Sequence, residues 1–193
     1  MEPEEVAETM KELHKAGKIR AWGVSFAPVD YIRRAHAVFP LAAIENMYNF
    51  VDRGDEATYF PLCEELGLTY VSACPLAKGL LSGRLNKEST YREGDWRGRM
   101  PLFGDEAMDK NRPLLELLDK YAVEKNATPA QISLAWMLHK YPNVVPIPGS
   151  KNKGRIVENL GAADVELTDA EFKALEASLN ECKVYGHRGL GGF

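Results

Sequence analysis

The segment Pro148-Gly149-Ser150-Lys151-Asn152-Lys153-Gly154-Arg155 gathers three cations, two glycines and two short polar side chains into eight residues. It follows an apolar run, Asn143 to Pro148, that reads as a strand. It precedes a helical pattern from Asn152 to Gly161. A helix start leaves its first N–H groups without carbonyl partners, and the aligned peptide dipoles put partial positive charge there. Lys151, Lys153 and Arg155 add full charges, so this pattern suits the binding of a small anion such as a phosphate. Gly149 reads as the tight turn between strand and helix. Glu158 and Asn159 stand one helical turn beyond Arg155, where they can face the same ligand. A solvated basic helix start would have the same composition, and spacing alone divides the two readings about evenly.

Other residues offer less chemistry. The cysteines, Cys63, Cys74 and Cys182, are odd in number and form no CxxC pair. That argues against a disulfide framework or a zinc site and for a reducing compartment. The histidines, His14, His36, His139 and His187, show no metal-ligand spacing. Cys74, at a strand end, reads more readily as a small buried hydrophobe than as a reactive thiol. Trp136 and Trp22 read as core residues. Lys78 could pair with a phosphate, although solvation is the commoner fate of such a lysine. Asp95 and Arg97 can pair within a loop, where an ion pair is worth little.

A net charge of −4 argues against a general polyanion binder, so no nucleic-acid partner is expected. The acidic start has no apolar signal region, and no apolar run approaches the length of a membrane span. A cytoplasmic protein without a membrane partner is the expectation.

The elements that must position these residues alternate. Helical patterns cover Glu4 to Gly17, Val29 to Val38 and Ala57 to Leu66. Between and after them lie short apolar runs at Ile19 to Ser25, Ala42 to Asn49 and Leu68 to Cys74. The polar stretch from Ser82 to about Arg112 reads as a long loop. Helices follow at Pro113 to Lys125 and from Thr128-Pro129 to about Lys140. The last strand, Asn143 to Pro148, leads to closing helices at Asn152 to Gly161 and Asp169 to Leu179. The second of these carries a Thr168/Glu171 capping box. Alternating strands and helices indicate parallel β/α units, and continuous apolar strands suit a sheet buried on both faces. Four units do not close an ordinary barrel, which takes eight and about 250 residues. Pattern alone leaves a small open α/β sheet as the alternative. The expected organisation is one domain over residues 1–179 and a mobile, glycine-rich tail over 180–193.

Five segments resemble the aldo-keto reductase family in the same order. They are Gly17-Lys18-Ile19-Arg20-Ala21-Trp22-Gly23-Val24-Ser25, then Glu45-Asn46-Met47-Tyr48-Asn49 with Asp52-Arg53, then Pro75-Leu76-Ala77 with Gly79-Leu80-Leu81-Ser82-Gly83. Gly94-Asp95-Trp96-Arg97 follows, and Ile147 to Asn152 with Arg155 to Asn159 completes the series. The resemblance spans about Glu5 to Leu179. It implies a TIM-barrel-type fold, of which this chain would hold about four C-terminal β/α units, a half barrel, plus the closing helices. It implies an oxidoreductase that reduces carbonyls with NADP(H) in the complete barrel.

The same resemblance assigns cofactor roles. Residues matching Ser150, Asn152 and Arg155 grip the adenosine 2′-phosphate, beside Gly149 and Lys151. Residues matching Glu158 and Asn159 hydrogen-bond the adenine. Pro75, Leu76 and Lys78 fall in the loop that covers the pyrophosphate. Ser25 and Glu45 fall where the family holds the nicotinamide carboxamide. Glu45 stands in place of the usual Gln and cannot donate to a carbonyl oxygen. Phe26 replaces a frequent Asn, and Ala73 replaces the aromatic ring that stacks on nicotinamide, a contact worth on the order of 1 kcal/mol. Weak or partial NADP(H) binding is therefore expected.

The family's catalytic Asp, Tyr, Lys and His have no matching residues, so no catalytic residue is assigned. The chain then reads as inactive alone: a fragment, a natural half-length product or a degenerate gene product. The alternative is a non-catalytic half barrel that binds nucleotide or only itself. An open half barrel exposes two strand edges and an inner face, with Trp22, Val24, Ile44, Tyr70 and Val145 as candidate inward residues. That predicts a homo-oligomer, most simply a dimer.

Overall fold

The computed structural model describes residues 1–186, and the chain divides into two compact units. The first comprises Met1–Tyr48, Arg53–Ala73 and Asn143–Ile147. It holds four parallel strands, β1 (Gly23–Ser25), β2 (Ala43–Met47), β3 (Thr69–Ala73) and β4 (Val144–Pro146), paired in the order β1-β2-β3-β4. Helices α1 (Pro3–Lys15), α2 (Val29–Val38) and α3 (Tyr59–Leu66) accompany them. Gly67, left-handed at φ 65°, ends α3 and turns the chain into β3.

The sheet has two unlike faces. Ile44, Asn46, Tyr70, Ser72 and Val144 are buried, and Val24 aligns with Ile44 and Tyr70 in register. Ser25, Glu45 and Val71 align on the other face, where Glu45 and Val71 are half-buried, Ser25 is exposed and Val145 is 48% exposed. The inward set expected from sequence therefore mixes the two faces. Val24, Ile44 and Tyr70 share one row, and Val145 belongs to the opposite one, because side chains alternate along a strand. Trp22 precedes β1 and is core, as expected: its Nε1 donates to the carbonyls of Phe39 (3.2 Å) and Pro40 (3.1 Å). A polar cluster fixes the end of β2. Asp55 accepts from Asn46 Nδ2 (2.8 Å) and from the Tyr70 hydroxyl (2.7 Å).

The second unit comprises Asn49–Asp52, Cys74–Pro142 and residues from Pro148 onward. It contains α4 (Asp105–Lys110), α5 (Arg112–Glu124), α6 (Pro129–Lys140), α7 (Lys153–Leu160) and α8 (Asp169–Glu181). Capping boxes start α6 (Thr128 with Gln131) and α8 (Thr168 with Glu171). Trp136, fully buried in α6, packs 4.3 Å from Phe50 and donates to Glu176 (2.6 Å), the core role expected of it.

The stretch from Ser82 to Arg112 is not one long loop. It forms short 3₁₀ turns at Trp96–Arg99 and Pro101–Phe103 and then α4. Met100, Leu102, Phe103, Ala107 and Met108 are buried there, so apolar burial organises a segment whose charges suggested none. After α8, Tyr185 N–H donates to Asn111 Oδ1 and Asn111 Nδ2 donates to Tyr185 O, both at 2.9 Å. Of the tail expected to be mobile, residues 187–193 lie outside the described residues.

Candidate functional site

All four strands run parallel, so their carboxyl ends share one edge of the sheet. Ser25 is the last residue of β1, Cys74 directly follows β3, and Gly149 comes three residues after β4. Each of these three candidates therefore comes at or just after the carboxyl end of a strand in sequence.

In the first unit, Ser25 and Glu45 are register partners. Phe26 N–H donates to the Glu45 carbonyl at 2.8 Å. Phe26 sits in the left-handed region (φ 52°) and is 49% exposed. An L-residue there is strained, and such strain collects at ligand-facing turns. Gly23 is needed for close strand approach, since a Cβ would lie 2.6 Å from the Ala43 carbonyl oxygen. Ala73 is buried and offers only a methyl group.

In the second unit, the residues after Ala73 form a tight loop. Cys74 (φ 49°), Ala77 (φ 47°), Lys78 (φ 60°) and Gly79 (φ 105°) are all left-handed. Ala77 N–H bonds the Cys74 carbonyl (2.8 Å), and Gly79 N–H bonds the Leu76 carbonyl (2.9 Å). Asn49, 2% exposed, anchors the loop from outside. Its Nδ2 donates to Cys74 O (3.0 Å), and its Oδ1 accepts from Val51 N–H (2.9 Å) and Asp52 N–H (3.1 Å). Pro75 is buried and Leu76 half-buried. The Lys78 ammonium lies 5.4 Å from the Trp96 ring centre, a cation–π contact.

The phosphate segment lies in the same unit. Asn152 caps α7, its Oδ1 accepting from Arg155 N–H at 3.1 Å, and Ser150 Oγ accepts from Asn152 N–H at 3.1 Å. These caps leave the N–H groups of Lys153 and Gly154 at the first turn without intrahelical partners. Lys151, Lys153 and Arg155 are exposed, and no acidic group pairs with them among the described residues. Gly149 departs from the expectation. Its φ is not left-handed and a Cβ would meet nothing within 4 Å, so the backbone does not require glycine there. What glycine leaves at Gly149 is open space beside the helix start.

Two residues not singled out from sequence enter here. Arg84 Nη2 donates to Glu158 Oε2, committing that carboxylate to an ion pair. Gln131 Nε2 donates to the Glu158 backbone carbonyl at 3.0 Å. The Thr128-Pro129-Ala130-Gln131 cap was the available signal for Gln131; nothing local marks Arg84. Asn159 is half-buried on the same helix. Among the described residues there is no cluster of three or more potential metal ligands, and no helix is long and apolar enough to cross a membrane.

A sequence model of the aldo/keto reductase family matches residues 1–180. The chain is 35% identical over 189 residues to aldo-keto reductase yakc [NADP(+)] of Schizosaccharomyces pombe, covering 96% of this chain and 55% of that protein. It is 34% identical over 189 residues to probable aldo-keto reductase 1 of Glycine max, covering 98% and 54%. Among solved structures, the glycerol dehydrogenase AKR11B4 from Gluconobacter oxydans superposes with a TM-score of 0.86 at 27% identity, over 94% of this chain and 55% of that one. An aldo/keto reductase from Klebsiella pneumoniae, in complex with NADP and acetate, superposes with a TM-score of 0.66 at 27% identity, over 92% and 54%. The chain belongs to the aldo/keto reductase family, an oxidoreductase family. It spans about half the length of the relatives it matches.

Proposed function

We propose that this chain is the cofactor-gripping part of an NADP(H)-dependent aldo-keto reductase, binding the adenosine 2′-phosphate end of the cofactor. The observation that carries the reading is the start of α7. Two first-turn N–H groups without intrahelical partners, three exposed cations and an open glycine fall within seven consecutive residues, 149–155, at the entry to this helix. Ser150, Asn152 and Arg155 would hold the phosphate with help from Gly149 and Lys151, Glu158 and Asn159 the adenine, and Pro75, Leu76 and Lys78 the pyrophosphate. The named complex of the Klebsiella relative with NADP supports the cofactor class.

The nicotinamide end fits less well. Ser25 is exposed and available, but Glu45 offers only acceptors and Ala73 only a methyl. Binding is therefore partial, dominated by the phosphate. When bound, the cofactor supplies hydride chemistry. These 193 residues would orient its adenosine end and supply no proton donor matching the family's Tyr, so they are inactive alone toward carbonyls. The four parallel strands and the match to about half of each family neighbour support reading the sheet as about four units of a barrel, a half barrel in this chain. Its outer edges at β1 and β4 have no strand partner among the described residues, and the Glu45/Val145 face is partly exposed. Both features favour a homodimer, and the three free cysteines favour a reducing compartment, the cytoplasm.

Arg155→Ala tests the reading. Loss of a charge-assisted hydrogen bond costs about 1.5–3 kcal/mol, so NADP⁺ affinity should fall roughly 10- to 100-fold. Unchanged affinity refutes the phosphate site. Aldehyde turnover by the wild-type chain that is lost in this variant refutes the inactivity. A concentration-independent monomer in sedimentation refutes the dimer.

A further inference from the structure

We propose that Gln131 is a positioning residue that sets the pose of α7 and hence of the ligand-facing segment from Ser150 to Asn159. The proposal rests on the phosphate-site reading above only for what α7 holds. The placement of α7 stands on its own observations.

The first is that α7 has no buried residue. Its large apolar side chains face outward, with Ile156 44%, Val157 61% and Leu160 70% exposed. A helix without buried side chains lacks the packing that fixes most helices in place. Its position then depends on polar ties, and two of these converge on Glu158. Arg84 takes the carboxylate. Gln131 takes the backbone carbonyl, which belongs to the last turn, where carbonyls run out of intrahelical partners.

The second is the chemistry of the Gln131 amide. Its Oε1 accepts from Thr128 N–H at 2.9 Å, closing the capping box of α6, while Nε2 donates to Glu158 O at 3.0 Å. Either Glu or Gln closes a capping box, but only Gln can also donate. One side chain thus joins the start of α6 to the end of α7. The fit is close: a Cβ on Gly161 would lie 2.7 Å from Gln131 Nε2.

Gln131→Glu separates the two roles. The carboxylate still accepts from Thr128 N–H and suits the positive end of α6, but it cannot donate to Glu158 O. Hydrogen–deuterium exchange on the full chain reads both helices. The expected result is at least ~10-fold faster exchange over residues 153–160, with the first turn of α6 unchanged. In the same variant, affinity for 2′,5′-ADP should fall about 10-fold, while Gln131→Ala loses protection in both helices. Unchanged exchange of α7 in Gln131→Glu overturns the proposal, as does equal loosening of both helices, which would make Gln131 a cap and nothing more. If the wild-type chain does not bind 2′,5′-ADP, the phosphate-site reading fails, and the exchange measurement still decides what Gln131 positions.

Discussion

Loss of the Asn49 side chain should destabilise the second unit at the loop after Ala73. Its side chain makes three hydrogen bonds at 2.9–3.1 Å from a position 2% exposed. Asn49→Ala removes all three and leaves the Cys74 carbonyl and two N–H groups to find other partners. At about 1 kcal/mol net for each bond, and more for any group left dry, the loss is about 2–4 kcal/mol. In a chain of this size that corresponds to a fall in Tm of roughly 5–15 °C. Urea unfolding should show a lower midpoint with an unchanged slope. Asn49→Asp refines the test. It retains both accepted bonds but sets a carboxylate against the Cys74 carbonyl. A protonated Asp can donate in place of the amide, so its deficit should be smaller at pH 4 than at pH 7. An Asn49→Ala variant within about 0.5 kcal/mol of wild type would refute the view that this side chain holds the loop.

Three further outcomes follow from the geometry. The Lys125 ammonium at 2.6 Å, with the Thr168 N–H and hydroxyl, holds the Glu171 carboxyl down at about 2. This depressed value stabilises the fold above the ordinary carboxylate range and is lost as pH falls through about 2. The stability gap between wild type and Glu171→Gln should therefore close between pH 4.5 and 2; a gap constant over that window contradicts the assignment. Burial, with the Asp55 charge adding to it, pushes the Cys63 thiol up to about 12, so iodoacetamide at pH 8 should label Cys63 only after denaturation. Gly83 is left-handed (φ 68°), and a Cβ there would lie 2.6 Å from Pro129 Cγ. Gly83→Ala should destabilise by about 1–3 kcal/mol in urea, and a neutral result would mean that this turn is not packed against the start of α6.

Local patterns in the sequence carried much of this architecture. The Val29–Val38 helix, the Thr128 cap, the Thr168/Glu171 capping box and the parallel β/α order are legible because caps and periodicity act over a few residues. The strands are shorter than their apolar runs, since Trp22 and Leu68 are buried without extending the ladder. The fold within Ser82 to Arg112 was hidden because its buried residues lie between charges and follow no single period. Which sheet face is covered was also hidden, because short continuous apolar strands look alike on both sides. At the candidate site, the segment from Gly149 to Asn159 was legible as a strand-to-helix passage with cations. The Arg84–Glu158 pair spans 74 residues of sequence, and only the folded chain brings it together.

On the function proposed above, these residues select the 2′-phosphate of a dinucleotide while holding its nicotinamide poorly. Isothermal calorimetry of the wild-type chain with NADP⁺, 2′,5′-ADP and NAD⁺ tests it most directly. NADP⁺ and 2′,5′-ADP should bind with similar strength, because the proposed 2′-phosphate contacts are all at the start of α7. NAD⁺ should bind at least ~10-fold more weakly, the equivalent of about 1.4 kcal/mol. Equal affinity for NAD⁺ and NADP⁺, or an NADP⁺ affinity far above that of 2′,5′-ADP, would contradict the account.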